Sequence, residues 1–264
     1  MVHKQPYKNF LTDRLLLSWI RCRRKAWLDS FGNKDKKIWS AHDSLKIVHQ
    51  QTSFSSLIKS KSGRGIEACS QGLDWVVNLK LKSIEVSLHG NPLKATVPLL
   101  KKIPGESNWG NFSYRPVLAR QGRRVSKENR IYFALINRLL NKHQTIDIQK
   151  GISVSKTKFG LEVETVSIND KARRNLSDSL IGLSEDLSRP IIPPLISERK
   201  KCSICCWKSF CDNEAKSIGH LSEINGIGSK RKKILESLGI SKIEDLATSD
   251  PIKLQNELEK FGSQ

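Results

Sequence analysis

The sequence predicts a mixed α/β fold through about residue 215, followed by a small all-helical appendage. Three observations carry this. Apolar spacing switches repeatedly between a helical period and a period of two up to about residue 212. The last fifty residues carry helical patterns alone. A proline-rich stretch, Pro190 to Pro194, stops the last long helical pattern before a cluster of cysteines. With 264 residues and 38% hydrophobic content, the chain can bury a real core.

The elements follow in order. A helix is predicted from about Thr12 to Leu28, with Thr12 as N-cap. Leu15, Trp19, Cys22 and Ala26 share one face, so Cys22 points inward amid Arg21, Arg23, Arg24 and Lys25. A weaker helical pattern runs through Leu45, Val48 and His49 and ends near Ser62-Gly63-Arg64-Gly65. Alternation at Trp75, Val77, Leu79 and Leu81, and again at Ile84, Val86 and Leu88, predicts strands. A third strand fits Phe112 to Arg120, and Ser126 caps a helix carrying Ile131, Ala134, Leu135 and Leu139. Strands at 152–154 and 161–166 precede a helix through Ala172, Leu176, Leu180, Leu183 and Leu187.

Charge narrows the partners. Lys and Arg number 46 against 26 Asp and Glu, a net charge of +20 that points to a polyanion. No apolar stretch is long enough for a spanning helix, and the start lacks the apolar centre of a secretory leader. The expectation is a cytoplasmic protein without a membrane partner.

Four of the six cysteines crowd into Cys202-Ser203-Ile204-Cys205-Cys206-Trp207-Lys208-Ser209-Phe210-Cys211. In a reducing compartment such crowding points to metal ligation before disulfides. Cys202, Cys205 and Cys211 give C-x2-C-x5-C, with no second hook of the kind a zinc ribbon uses. A 4Fe–4S cluster can take its fourth thiolate from far away, and Cys22 is the candidate. Zinc and buried thiols are the alternatives, the latter being the default for Cys69.

An N-terminal Cys22 in the Thr12–Leu28 segment, paired with that distant C-x2-C-x5-C, resembles the iron-stapled RecB-like nucleases, among them AddB and the CRISPR-associated RecB-like exonucleases. The segment from Lys101 through Pro104-Gly105-Glu106-Ser107-Asn108-Trp109-Gly110 to Tyr114-Arg115-Pro116 is similar to a bacterial family of such nucleases. The resemblance covers roughly residues 10 to 215. It implies a restriction-endonuclease-like core with a helical N-terminal segment, residues 1–215, closed by a 4Fe–4S cluster on Cys22, Cys202, Cys205 and Cys211. Zinc is the alternative metal.

Active members carry a PD-(D/E)XK site, in which an Asp and an Asp/Glu-x-Lys strand hold Mg²⁺ or Mn²⁺ and activate water. The strand here is Tyr114-Arg115-Pro116-Val117-Leu118-Ala119-Arg120. Leu118 stands where the resemblance puts the carboxylate and Arg120 where it puts the Lys. The upstream Asp falls near Pro98, the helix Gln near Arg130, and His49 matches a histidine of some relatives' early helix. Asp35-x-Lys37, Glu198-x-Lys200 and Glu214-x-Lys216 fit the short pattern by chance, and Glu162 and Glu164 fit a half-exposed strand. A leucine cannot bind magnesium, so the catalytic carboxylates are expected to be lost. Arg120, Arg123, Arg124 and Arg130 instead offer guanidinium groups suited to phosphate.

Residues 216–264 resemble a helix–hairpin–helix unit from His220 to Leu246. Gly226 and Gly228 allow a tight hairpin, and the next helix offers its N–H groups to a phosphate. Lys230 and Arg231 add charge beside it, while Ile227, Ile234, Leu235, Leu238 and Ile240 supply a small core. Asp250-Pro251 has the pattern of a cap followed by proline at the first helical position.

The function these features predict is DNA binding without sequence choice, in repair or recombination, on a nuclease fold whose activity is open. One alternative is an active nuclease using displaced carboxylates such as Asp74 or Glu85. Another is a metal-stapled module that recruits a separate nuclease or helicase.

Overall fold

The computed structural model describes residues 9–83, 91–197 and 199–262. The Ile84–Leu88 strand, Glu85 and Glu198 lie outside them. The chain forms two compact units: one runs to Ser30 and resumes from Ala41 to Ile192, and the other joins Phe31–Ser40 to the chain from Pro193 onward. This division falls earlier than the 215/216 boundary, on the proline-rich stretch itself.

The first unit is mixed α/β. Its strands are β1 (Leu11–Thr12), β2 (Ser62–Arg64), β3 (Trp75–Ser83), β4 (Leu93–Ile103), β5 (Ser113–Ala119), β6 (Lys150–Thr157) and β7 (Gly160–Ser167). They form one seven-stranded sheet in the order β2-β3-β4-β5-β6-β7, with β1 pairing β4. The β3–β4, β4–β5 and β6–β7 pairs are antiparallel, whereas β5 and β6 are parallel. Helices α1 (Asp13–Arg21), α2 (Arg23–Phe31), α3 (Ala41–Leu57), α4 (Gly65–Ser70), α5 (Lys127–Leu140) and α6 (Asp170–Leu187) accompany them.

The single N-terminal helix expected over 12–28 is interrupted. Thr12 does cap α1, accepting from the Leu15 N–H at 3.2 Å. Cys22, however, takes an extended backbone (φ −161°, ψ 116°) and separates α1 from α2. Asp186, 3% exposed on α6, holds this break by accepting from Trp19 Nε1 and Arg23 Nε, both at 2.7 Å. The basic run beside Cys22 thus spends Arg23 on an internal carboxylate. At Gly182 of α6 a Cβ would lie 2.5 Å from the Trp19 ring, so a side chain there would force α1 and α6 apart.

Two apolar layers cover the sheet. Leu16, Ile131, Phe133, Leu135, Leu176, Leu180 and Leu183 pack with Leu79, Leu100 and Leu118 in the larger layer. Phe54 of α3 meets Trp75, Leu99, Val117 and Val154 in the smaller. Ser126 caps α5 by accepting from the Asn129 N–H at 3.1 Å, as its position predicts.

The second unit is helical: α7 (Lys208–Ser217), α8 (Ser229–Ser237), α9 (Ile243–Ala247) and α10 (Pro251–Glu259), with short 3-10 turns between. Leu221, Leu235 and Ile240 form its small core, joined by Ile227, Leu246 and Leu254. Asp250 caps α10 through the N–H groups of Ile252 and Lys253 at 2.8 and 3.1 Å, with Pro251 at the first helical position. No helix among the described residues is long and apolar enough to cross a membrane.

Candidate nucleic-acid interface

The hairpin before α8 is built from its glycines. Gly226 has φ +90°, a left-handed conformation that costs an L-residue about 1–2 kcal/mol. Gly228 is the N-cap of α8 in extended backbone (φ −89°, ψ −174°), and no side chain caps it. An α-helix leaves its first N–H groups without intrahelical partners, carrying the positive end of the dipole. At α8 these amides open beside exposed Gly228, Ser229, Lys230 and Arg231.

The basic run is not uniform. Arg231 folds back, donating through Nη1 to the Gly226 carbonyl at 2.7 Å, and so closes the hairpin with one of its five donors. Lys232 turns inward, 2.9 Å from His220 Nε2 and 3.3 Å from Glu236. Lys230 and Lys233 remain exposed. His220 is buried, and its Nδ1 lies 2.6 Å from Ser222 Oγ. Burial first, then the Lys232 and Arg199 charges, hold its imidazole below the usual histidine range.

The cysteine turn precedes this hairpin. Cys202, Cys205 and Cys211 are half-buried, while Cys206 is 7% exposed and its carbonyl accepts from the Ile38 N–H at 2.9 Å. The turn therefore sends Cys206 inward and leaves the other three nearer the surface. Arg199 pairs with Asp212 on α7, and with Glu223 at 3.2 Å, linking the cysteine turn to the start of the hairpin. Three thiols of this kind are soft donors of the right type for iron–sulfur or zinc. Among the described residues, however, no three His, Cys, Asp or Glu side chains are gathered as a metal site. Cys69 lies fully buried in the first unit, its thiol pushed up to about 12 by burial.

In the first unit, the strand that the nuclease resemblance singled out is β5. Leu118 is 3% exposed and belongs to the larger apolar layer. Arg120 corrects the sequence expectation. It is only 6% exposed, donates to Glu162 Oε2 at 2.9 Å and to the Gly122 carbonyl at 2.6 Å, and lies 3.6 Å from Glu164. Two carboxylates neutralise it, so it is not offered to a phosphate. Glu162 and Glu164, treated as ordinary strand residues from sequence, are the ion-pair partners of Arg120 that sequence reasoning missed. Their i, i+2 spacing on β7 was the available signal, since it puts both on one face. His49 of α3 sits 2.8 Å from the Arg120 carbonyl. Arg123, Arg124 and Arg130 are exposed.

No family model matches the chain. It is similar to human DNA polymerase iota, 46% identical over 48 residues. That stretch is 18% of this chain and 6% of the polymerase, so the chain spans only a small part of that relative's length. Asp35 lies in a 3-10 turn and Glu214 on α7, so neither short D/E-x-K match lies on a strand.

Proposed function

We propose that this protein binds DNA without sequence choice, on a RecB-like nuclease scaffold that has lost its metal carboxylates, and serves repair or recombination. The observation that carries the reading is the uncapped N-terminus of α8, flanked by Lys230 and Arg231 behind a glycine hairpin. A helix end of this kind takes phosphate through backbone amides and is blind to base sequence. The short likeness to a DNA polymerase supports the same partner.

Three features support the scaffold. Helix α5, which carries Arg130, follows β5, in the order of the motif, a strand and then the helix at the Gln position. One step beyond the Leu99–Val117 pair, the β4–β5 register brings Pro98 opposite Leu118. The two positions assigned to metal carboxylates are therefore cross-strand neighbours, and both are apolar. His49 lies against the residue at the Lys position.

A 4Fe–4S cluster on Cys22, Cys202, Cys205 and Cys211 belongs to this reading as a structural cross-link, with zinc as the alternative. Cys206, buried by its own turn, is not a ligand in it.

The displaced-carboxylate alternative finds little support in the first unit. Asp74 precedes β3, and the β3–β4 register places it four residues, about 13 Å, from the level of Pro98. Glu162 and Glu164 are closer, but both are engaged by Arg120. Recruitment of a separate nuclease or helicase is compatible with a scaffold that binds DNA without cutting it.

The test uses anaerobically purified protein with labelled single- and double-stranded DNA plus Mg²⁺ or Mn²⁺, run on native and denaturing gels. A shifted band with intact strands, weakening steeply as salt rises, is the expected result. Strands cut in the presence of metal and spared by chelator would overturn the lost-site reading. Affinity indifferent to salt would overturn the DNA reading.

A further inference from the structure

The loops that follow the parallel strands β5 and β6 leave the same end of the sheet, where ligands of α/β sheets gather. The loop after β5 carries exposed Arg123 and Arg124. The loop after β6 is the β6–β7 hairpin tip, with exposed Lys156, Lys158 and Phe159. Among the described residues Phe159 is the most exposed large hydrophobic side chain, at 87%.

The tip is ordered by its own bonds. Thr157 pairs with Gly160 in the ladder, its Oγ1 accepts from the Phe159 N–H at 3.2 Å, and it donates to the Gly160 carbonyl at 3.2 Å. Gly160, which closes the turn opposite Thr157, takes φ +133°, a conformation that a side chain would strain. The Lys158 ammonium stands 4.9 Å over the Phe159 ring. An aromatic held in water beside a lysine, with a second exposed lysine on the same hairpin, has no role in the core. It suits a partner that is anionic along its length and carries flat apolar faces.

We infer that Phe159 stacks on an unpaired nucleobase of single-stranded DNA or of a frayed duplex end. Lys156, Lys158, Arg123 and Arg124 neutralise the adjoining phosphates. This rests on the DNA reading above and deepens it, because a base in an intact duplex has no open face to offer the tip. The contact is sequence-tolerant, since every base has a π-face. It is also separate from the α8 hairpin, whose backbone contacts do not distinguish paired from unpaired bases.

The experiment compares the full chain with Phe159→Ala and Phe159→Trp on a single-stranded oligonucleotide and on a relaxed closed-circular duplex, which has no loop and no end to fray. A second single strand carries 2-aminopurine as a stacking reporter. Phe159→Ala should weaken single-strand affinity about five- to a hundredfold, the range for loss of one stacked base. Duplex affinity should stay unchanged. Phe159→Trp should restore single-strand binding and quench the reporter as the wild type does. Wild-type single-strand affinity in Phe159→Ala would overturn the inference while leaving the DNA reading intact. An equal loss on both substrates would overturn it as well, since stacking requires an open base. A wild-type protein that binds neither substrate would overturn both.

Discussion

Replacing Gly228 by Asp should strengthen the fold and weaken DNA binding together. At φ −89° and ψ −174° the position already has the extended backbone of an N-cap, and a Cβ there meets nothing within 4 Å. Asp accepts from the open amides, a few tenths of a kcal/mol better than Gly. Reduced freedom of the unfolded chain adds about 0.4–1 kcal/mol. A carboxylate at the positive helix end adds about 0.3–1 kcal/mol. Together these give about 1–2 kcal/mol of stabilisation, read as a higher midpoint in chemical denaturation. The same carboxylate fills the amides that the proposed function gives to a phosphate, and repels it. Loss of one charged contact, roughly 1.5–3 kcal/mol, lowers affinity at least about tenfold. It also flattens the log–log salt slope by about 0.9. Gly228→Asn, which caps without charge, should stabilise and fall between the two in affinity. The converse variant, Gly226→Ala, is less informative, since its φ of +90° strains the fold as well as the site. Wild-type affinity in Gly228→Asp would show that the α8 amides hold no phosphate. A lower midpoint would show that α8 does not start there.

Further outcomes follow from other sites. Protein purified without oxygen should be brown, and Cys205→Ser should lose that visible absorption and destabilise the fold, whereas Cys206→Ala should keep the colour; a colourless wild type with neither iron nor zinc by elemental analysis refutes the ligand assignment. Asp147 is pressed upward by burial, but Asn137, Asn141 and Arg173 bind its carboxylate and hold it down at about 2. Its folded value lies below the unfolded one, so its contribution is present near neutral pH and fades as pH falls from about 5 toward 2. Acid titration monitored by circular dichroism should therefore lose a stability component that Asp147→Asn lacks, and coincident normalised curves would refute this. Arg120→Met should leave single-strand affinity unchanged within about twofold, roughly the 0.4 kcal/mol that a non-contacting site allows; a tenfold loss by fluorescence anisotropy would return Arg120 to the phosphate-binding set.

Much of the fold is visible in local pattern. The helix caps at Thr12, Ser126 and Asp250 each fill the role their position suggests, because capping is decided within three residues. Strand β4 is not legible in the same way. Pro98 in its middle argues against a central strand. The sheet accommodates it where the β3–β4 ladder skips the Asn78–Pro98 pair, and Asn78 adopts φ +54°. The N-terminal helix shows the opposite failure. Its apolar face continues through Cys22, and the break depends on Asp186, more than 160 residues away. Arg120 has the composition of a phosphate ligand and the surroundings of a buried ion pair, and only strand pairing distinguishes the two. The turns on either side of α8 are set locally by glycine, since Gly226 and Gly239 both take positive φ.

The second unit is made from two stretches of chain that are far apart in sequence. Phe31–Ser40 belongs with it, and the Ile38 N–H is bonded to the Cys206 carbonyl. On a ribosome adding about 5–20 residues per second, Ser40 emerges roughly 150 residues, or about 8–30 s, before Pro193. For that interval the strands and helices of the first unit emerge one after another while the ten residues between Ser30 and Ala41 wait for their partners. Any cut at the proline-rich stretch makes the wait permanent. A fragment beginning at Pro193 lacks the Ile38 bond, and a fragment ending at Ile192 keeps a ten-residue insert with no fold of its own to join. The hairpin module is therefore not a detachable tail. Its completion is a late event that reports, through Phe31–Ser40, that the first part of the chain is already made.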